Sequence, residues 1–374
     1  MSKTPIPPDV KRNLWFNAHG RCEFRGCNKR LYVSGVTMEK CNISNYAHII
    51  GDSKNGPRGN ERSEELAKDP SNLILLCPEC HKLIDSKLGE DRYTVEILKA
   101  MKKEHEERID LLTGIRPELK SLVVAYGPKI GADTPFFHEE VLNNAILPER
   151  YPVYPTPVEI QLKNMALGEE TETYWLVEQN QIEMLCKEKV IKALDTGVCS
   201  HISLFPLGPQ PLLVKIGTVL NDKYNVQVYQ KHREPDTWRW LDNAGNNNIV
   251  EKAPHDKNKE PILVIALSAR AIRERVSQRF GNNASIWTIT CDEPGNDMMK
   301  SKAQLEQFRV VTRKTMDDIK TNALGFDTIR VFMAAPTSCA VELGRIRMPK
   351  ADLKWLIYDY RMQENTDVET ITID

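Results

Sequence analysis

Between Asn72 and Asp85 the chain reads Asn-Leu-Ile-Leu-Leu-Cys-Pro-Glu-Cys-His-Lys-Leu-Ile-Asp. One short segment thus carries an amide, two thiols, an imidazole and a carboxylate. Upstream stand Cys22 and Cys27, then Ala47-His48-Ile49. Zinc takes four soft ligands in a tetrahedron, and closely spaced cysteine pairs can each supply half of such a site. Cys77 and Cys80 have two residues between them, and Cys22 and Cys27 have four. This spacing predicts a structural zinc. Closing a loop of about fifty residues with metal would help hold a small irregular domain together.

His48 lies in a mostly apolar stretch, Tyr46-Ala-His-Ile-Ile50, that can form a strand. A neutral imidazole can accept a proton from water as a general base. Asn72 opens the next strand, where its amide could bond backbone near His48 and fix the ring. His81 falls at an expected helix start with Asp85 one turn later. Positions four apart share a helix face, so the two could hold one divalent cation. Such a cation would stabilise charge developing on a phosphate and on its leaving oxygen. Basic residues nearby (Lys54, Arg58, Arg62, Lys82) are candidates for phosphate contacts. The 51–63 loop, rich in Gly, Asn and Arg, is the best candidate for an element lying along DNA.

Composition excludes some classes and leaves others open. At 374 residues there is room for two or three domains. The net charge of -1 carries no global nucleic-acid signature, so any basic surface must be local. No run of about 18 apolar residues exists, and no membrane span is expected. Residues 1–10 lack the apolar core of a signal peptide. Of nine Cys, five are scattered, which suits a reducing cytoplasm and a metal rather than a disulfide framework.

The elements that must position these groups follow from periodicity. Residues 1–115 form the Cys/His-rich unit, closed by an amphipathic helix over 94–112. Residues 116–157 read as a connector, with a strand at Leu122–Tyr126, a glycine-containing turn, a helix near His138–Ile146 and a proline-spaced extended end. From Val158 to the C-terminus, strands alternate with helices. Strands are expected at Tyr174–Val177, His201–Phe205, Asn225–Tyr229 and Thr237–Trp240, with a helix over Ile182–Leu194 and a turn at Ala244–Asn248. In the second half, strands are expected at Ile262–Leu267, Ser285–Thr290, Thr328–Met333 and finally Lys354–Tyr358. Helices are expected from Ala269, over Lys302–Asn322 and from about Cys339. The pattern argues for an α/β multidomain chain whose larger domain, 158–374, is mainly parallel and built of two related halves.

Residues from Cys22 to His105 resemble an HNH endonuclease of the ββα-metal class, through Cys22, Cys27, Ala47-His48-Ile49, Asn72-Leu73, Leu76-Cys77, Cys80-His81 and Ile84-Asp85. The resemblance implies that His48 is the general base, that Asn72 orients it and that His81 binds a catalytic Mg²⁺ or Mn²⁺. Many members carry an acidic residue or His just before the base. Here that position is Ala47, and Asp85 is the preferred second ligand, with Asn45 the alternative. The larger domain resembles a SAVED domain, a sensor related to CARF domains. The resemblance rests on Tyr174–Val177, His201–Pro206, Thr237–Trp240, Ile262–Ser268, and Ala335–Ala340 followed by Leu343-Gly-Arg345.

The combination resembles the HNH–SAVED effectors of CBASS anti-phage systems. It implies a cyclic di- or trinucleotide activator, a homo-oligomer (a dimer, larger on activation), indiscriminate cutting of double-stranded DNA, and death of the infected cell. Such a ligand needs flat faces for its bases and donors for its phosphates. Candidates are Trp238 and Trp240, which share a face on the expected strand, Lys231 and Arg233 before them, Arg270, and Thr337 and Ser338 at a strand-to-helix loop. Two other readings compete. One is a restriction endonuclease whose C-terminal domain reads DNA sequence or modification. The other is a zinc-stabilised binding module with an inactive nuclease site.

Overall fold

The computed structural model describes residues 4–129, 135–161, 167–241, 245, 247–362 and 364–374. The turns expected after Tyr126 and at Ala244–Asn248 fall partly outside these residues. The chain divides into two compact units, Met1–Arg116 and Pro117–Asp374.

The first unit contains α1 (Pro8–Ala18), β1 (Asn45–His48), α2 (Ser63–Leu66), β2 (Leu73–Leu76), α3 (Pro78–Ile84), α4 (Lys87–Arg92) and α5 (Val95–Thr113). β1 and β2 are antiparallel, with Asn45 opposite Leu76 and His48 opposite Leu73. All four residues of β2 are buried, as its unbroken apolar run requires. Ala18, Leu31, Ile49, Ile74, Ile84, Leu98 and Met101 pack around the pair. The Trp15 indole donates to the Tyr46 hydroxyl at 2.7 Å and ties α1 to β1. Thr94 caps α5 by accepting from the Ile97 amide. The β1-β2-α3 order is the expected two strands and a helix.

The second unit holds two sheets. The first is built from β3 (Lys120–Tyr126), β4 (Tyr151–Pro152), β5 (Val158–Ile160), β6 (Ile202–Pro206) and β7 (Val226–Val228). β3 is central, with β6 on one side and β4 then β5 on the other, all parallel. Its helices are α6 (Glu139–Ile146), α7 (Glu172–Leu185), α8 (Lys192–Asp195) and α9 (Gln210–Val219). The segment 116–157, expected as a connector, therefore supplies a central strand. Leu122–Tyr126 is apolar because it is buried on both faces.

The second sheet comprises β8 (Ile249–Lys252), β9 (Glu260–Ala266), β10 (Ala284–Cys291), β11 (Thr328–Ala334), β12 (Lys354–Arg361) and β13 (Thr366–Ile373), in the order β13-β12-β11-β9-β10-β8. The inner four strands are parallel and the two edges antiparallel. Its helices are α10 (Ala271–Phe280), α11 (Lys302–Asn322) and α12 (Thr337–Arg345). Ser301 and Gln304 form a capping box at the start of α11.

The halves repeat a strand–proline–helix pattern: Pro209, Val214 and Gly217 on α9 match Pro336, Val341 and Gly344 on α12. The two helices cross with no room between them, so a Cβ on Gly217 would lie 2.1 Å from the Val341 carbonyl oxygen. Tyr174–Val177, expected as a strand, is the first turn of α7. Thr171 caps that helix at the Tyr174 amide, and Tyr174, Trp175, Glu178, Ile182 and Leu185 form its buried face. Thr237–Trp240 is not a strand either. Thr237 makes one bridge to His232 across a four-residue turn that ends the pairing. β13 follows the strand expected to be the last. Its buried Asp367, paired with Arg275 at 2.9 Å, breaks the apolar alternation that would have revealed it.

Candidate nuclease site and sensor domain

The four cysteine sulfurs of the first unit lie within 4.8 Å of one another. A tetrahedral zinc with bonds of about 2.3 Å sets its sulfurs about 3.8 Å apart, and Cys27 and Cys77 Sγ are 4.0 Å apart. The residues fit the metal. The first pair sits on a tight turn through Gly26, whose φ of 85° suits glycine. The second pair opens α3, with Cys77 as its N-cap. The Cys77 amide donates to Cys22 Sγ at 3.3 Å, and the Cys80 amide to Cys77 Sγ at 3.5 Å. Burial pushes the Cys22 thiol up to about 12, against backbone hydrogen bonds. A cation among the sulfurs would reverse that pressure.

The four-cysteine cluster therefore sits at the start of α3, and α3 with its C-cap carries the next two groups. His81 Nε2 and Asp85 Oδ2 are 3.1 Å apart. Adjacent ligands on an octahedral Mg²⁺, each about 2.1 Å from the ion, are about 3 Å apart. The contact is a hydrogen bond from His81 to Asp85, and the same spacing would suit two neighbouring positions of a hard divalent cation once Nε2 gives up its hydrogen. Among the described residues, no other His, Cys, Asp or Glu joins them to form a group of three. Burial works to raise the Asp85 pKa, but hydrogen bonds from His81 and Arg58 prevail and hold it below the usual carboxylate range.

His48 ends β1, nearly buried, with Nε2 2.9 Å from the Ala67 carbonyl oxygen. A carbonyl only accepts, so Nε2 carries the hydrogen and Nδ1 is the basic nitrogen of the neutral ring. Asn72 does not touch the ring. Its Oδ1 accepts from the Ile50 amide at 2.8 Å, and its Nδ2 donates to the carbonyls of Ile50 and Leu66 at 2.9 and 3.2 Å. The Asn72 carbonyl also accepts from Ile49 at 2.8 Å. Asn72 thus extends the β1–β2 ladder past His48 and holds the residue next to Ala67, whose carbonyl fixes the imidazole. Ala47 is buried beside His48, and Asn45 is half-buried at the far end of β1.

The basic residues named as phosphate contacts are mostly engaged. Lys54 pairs with Glu61 and Arg62 with Glu65, both on the surface. Arg58 points inward, its side chain only 5% exposed, toward Asp85 and backbone carbonyls. Lys82 is exposed on α3. Sequence reasoning missed the inward turn of Arg58. The only available signal was its place between Gly56 and Gly59 in a loop too tight for side chains. A Cβ at Gly59 would lie 2.4 Å from the Ser53 carbonyl oxygen.

In the second unit the sensor candidates separate. Trp238 is a core residue, packed with Phe137, Phe205 and Tyr229, so its ring faces are taken. Trp240 is half-buried and meets His232 edge-on. Lys231 pairs with Asp236, and its ammonium lies 6.0 Å from the Trp238 ring centre. The Arg233 amide donates to Asp297. Thr337 and Ser338 do open a helix, but Gln230 already occupies that end. Its Oε1 accepts from the Ser338 amide at 3.1 Å, from Ser338 Oγ at 2.8 Å and from Thr337 Oγ1 at 3.4 Å. Gln230 thus joins the segment bearing Lys231 to Thr337 and Ser338. Arg270 stands apart at the start of α10, donates to the Asp292 carbonyl at 2.7 Å, and lines a cavity of about 330 Å³ with Lys252, Arg273 and Thr288.

Two family models match the chain. Residues 182–373, just over half of it, match the SMODS-associated and fused to various effectors sensor domain, SAVED. The chain belongs to the SAVED family. Residues 22–88 match an HNH endonuclease. This HNH–SAVED chain therefore joins a nuclease domain to a sensor domain, and its α/β architecture agrees with both. No curated protein matches it. Among solved structures, it is similar to the Acinetobacter baumannii Cap4 SAVED/CARF-domain containing receptor with the cyclic trinucleotide 2'3'3'-cAAA. That match has 11% identity over 77% of this chain and 61% of that one, with a TM-score of 0.42. The Moraxella osloensis Cap4 SAVED/CARF-domain containing receptor matches at 10% identity, over 75% and 61% of the two chains, with a TM-score of 0.42. The chain spans about three fifths of the length of these receptors. Among the described residues, no helix is long and apolar enough to cross a membrane.

Proposed function

We propose that the chain is a cyclic-nucleotide-activated, metal-dependent endonuclease that degrades double-stranded DNA without sequence preference. Its setting is a cytoplasmic CBASS-type effector in bacterial anti-phage defence. The observation that carries the reading is the pairing of two positioned groups on one zinc-anchored scaffold. These are His48, with its Nε2 hydrogen committed to Ala67, and the His81–Asp85 pair, with the spacing of two ligands on one cation. A SAVED domain on the same chain supplies the reason for a switch.

In the reaction, His48 Nδ1 takes a proton from the attacking water. The water oxygen bonds to phosphorus as the bond to the leaving sugar oxygen breaks, and that oxygen takes a proton from solvent water. His81 and Asp85 would hold Mg²⁺ or Mn²⁺, which would supply charge stabilisation for the phosphoryl oxygens and the leaving group. Asn72 keeps the carbonyl that orients His48 in place. Activation is a population shift. The cyclic di- or trinucleotide binds the assembled, active form more tightly than the resting one, and a homo-oligomer brings two nuclease domains to the two strands.

The test is plasmid digestion by the full chain with Mg²⁺, alone and with a panel of cyclic di- and trinucleotides, the products resolved by length. The proposal expects a smear of short fragments only with a particular cyclic nucleotide. Discrete bands without any added nucleotide would support the restriction-enzyme reading instead. Failure to cut under any of these conditions, with zinc present and the chain folded, would favour the inactive binding module.

A further inference from the structure

Arg58 is the most heavily used side chain of the nuclease unit, although it has no part in the reaction sequence above. Its Nε donates to the Ile49 carbonyl at 2.7 Å, and Nη1 to the Ile84 carbonyl at 2.6 Å. Its Nη2 reaches Asp85 Oδ1 at 2.8 Å and the His48 carbonyl at 3.4 Å. One guanidinium therefore holds the last residue of β1, the residue after it, the last residue of α3 and the carboxylate that follows. These are the elements that carry the base and the metal pair.

The chain commits local structure to this placement. Arg58 has a positive φ of 54°, a conformation that L residues adopt at a cost. The loop around it is closed by Gly51 N–H on the Pro57 carbonyl and Gly59 N–H on the Gly56 carbonyl, each at 2.9 Å. A Cβ at Gly51 would come within 2.7 Å of the Pro57 carbonyl oxygen. A loop built only to lie on DNA would present its arginine outward.

We infer that Arg58 is a positioning residue of the nuclease, setting the β1 strand of His48 against the α3 turn of His81 and Asp85. By taking Oδ1 of Asp85 it leaves Oδ2 toward His81, so the two ligand atoms share one aim before a cation arrives. A planar fork with five donors can bridge these acceptors together, whereas an ammonium cannot keep the same spread. The inference rests on the nuclease reading above.

The test uses the full chain, wild type beside Arg58→Lys and Arg58→Gln. Mn²⁺ binding is read by calorimetry or spin resonance, zinc content by elemental analysis, and plasmid cleavage, with the activating cyclic nucleotide present, as a function of Mn²⁺ concentration. Both variants should keep one zinc per chain, bind Mn²⁺ at least about tenfold more weakly, and require correspondingly more Mn²⁺ to cut, as loss of partners that orient metal ligands does elsewhere. High Mn²⁺ should restore part of the Arg58→Lys rate, which a simple loss of fold would not allow. Should Arg58→Gln lose its zinc, Arg58→Lys carries the comparison. Unchanged Mn²⁺ affinity and cleavage in a zinc-loaded variant would overturn the inference alone. A wild-type chain that takes up no Mn²⁺ would overturn the nuclease reading, and this role with it.

Discussion

Gly217 and Gly344 meet where α9 crosses α12. A Cβ on the first would lie 2.1 Å from the Val341 carbonyl oxygen, and one on the second 2.0 Å from that of Val214. The contact is reciprocal, as two related halves packed about an approximate two-fold would make it. Any side chain larger than hydrogen forces the helices apart. Gly217→Ala and Gly344→Ala should each destabilise the second unit by about 1–3 kcal/mol or more. Denaturant unfolding of the full chain measures this, and an unchanged midpoint would contradict the packing.

The zinc cluster is predicted to be the fold of the first unit rather than an ornament on it. Cys80→Ser should lower zinc from one ion per chain to well below that, and should expose residues 4–116 to protease while 117–374 resist. A fully protected first unit without zinc would contradict this.

His48 is held by one hydrogen bond to Ala67, so its replacement should spare the fold. His48→Gln is expected to keep its zinc and its Mn²⁺ affinity and to lose about 10²–10⁴ in cleavage rate. Rates are compared at saturating metal and activating cyclic nucleotide. A variant that cuts at the wild-type rate would remove His48 from the base role.

Much of the candidate nuclease site is legible in sequence because its groups are local. The cysteine pairs, His81 and Asp85 are tied by spacings of a few residues, and the strand around His48 shows as an apolar run. Asn72 was readable as a backbone anchor, but its reach to Leu66 was not, since that depends on how the 51–67 loop folds back. Arg58 reads as a surface cation because the flanking Gly56 and Gly59 announce a tight loop but not which way its arginine turns. In the sensor domain, β9 stands out as a long apolar run. The Tyr-Trp-Leu-Val run at 174–177 misleads because strong strand formers can serve as one face of a capped helix. The tryptophan pair misleads for a related reason: Trp238 fills the first half's core, which no spacing rule separates from a stacking platform.

A buried acid in the same domain makes stability depend on pH. Burial on α7 raises the Glu178 carboxyl to about 7, and neither of its oxygens has a hydrogen-bond partner among the described residues. The folded chain then holds a proton that the unfolded chain releases near pH 4.5. The neutral acid's contribution is fully present below that pH and is lost as pH rises through about 7. The second unit should therefore melt at lower temperature at pH 8 than at pH 5.5. Glu178→Gln should flatten the difference. An equal pH dependence in the variant would assign the effect to other groups, with Asp359 the next to examine, since burial raises it to about 6.

Ligand at the SAVED domain is expected to switch on the nuclease of the same chain. The most direct measurement is the initial rate of double-stranded DNA cleavage by the full chain in Mg²⁺, with and without each cyclic nucleotide, for wild type and His48→Ala. The rate should rise at least tenfold with one such nucleotide and fall to background in the variant. An equal rate with and without every nucleotide, or activated cutting that survives His48→Ala, would contradict it.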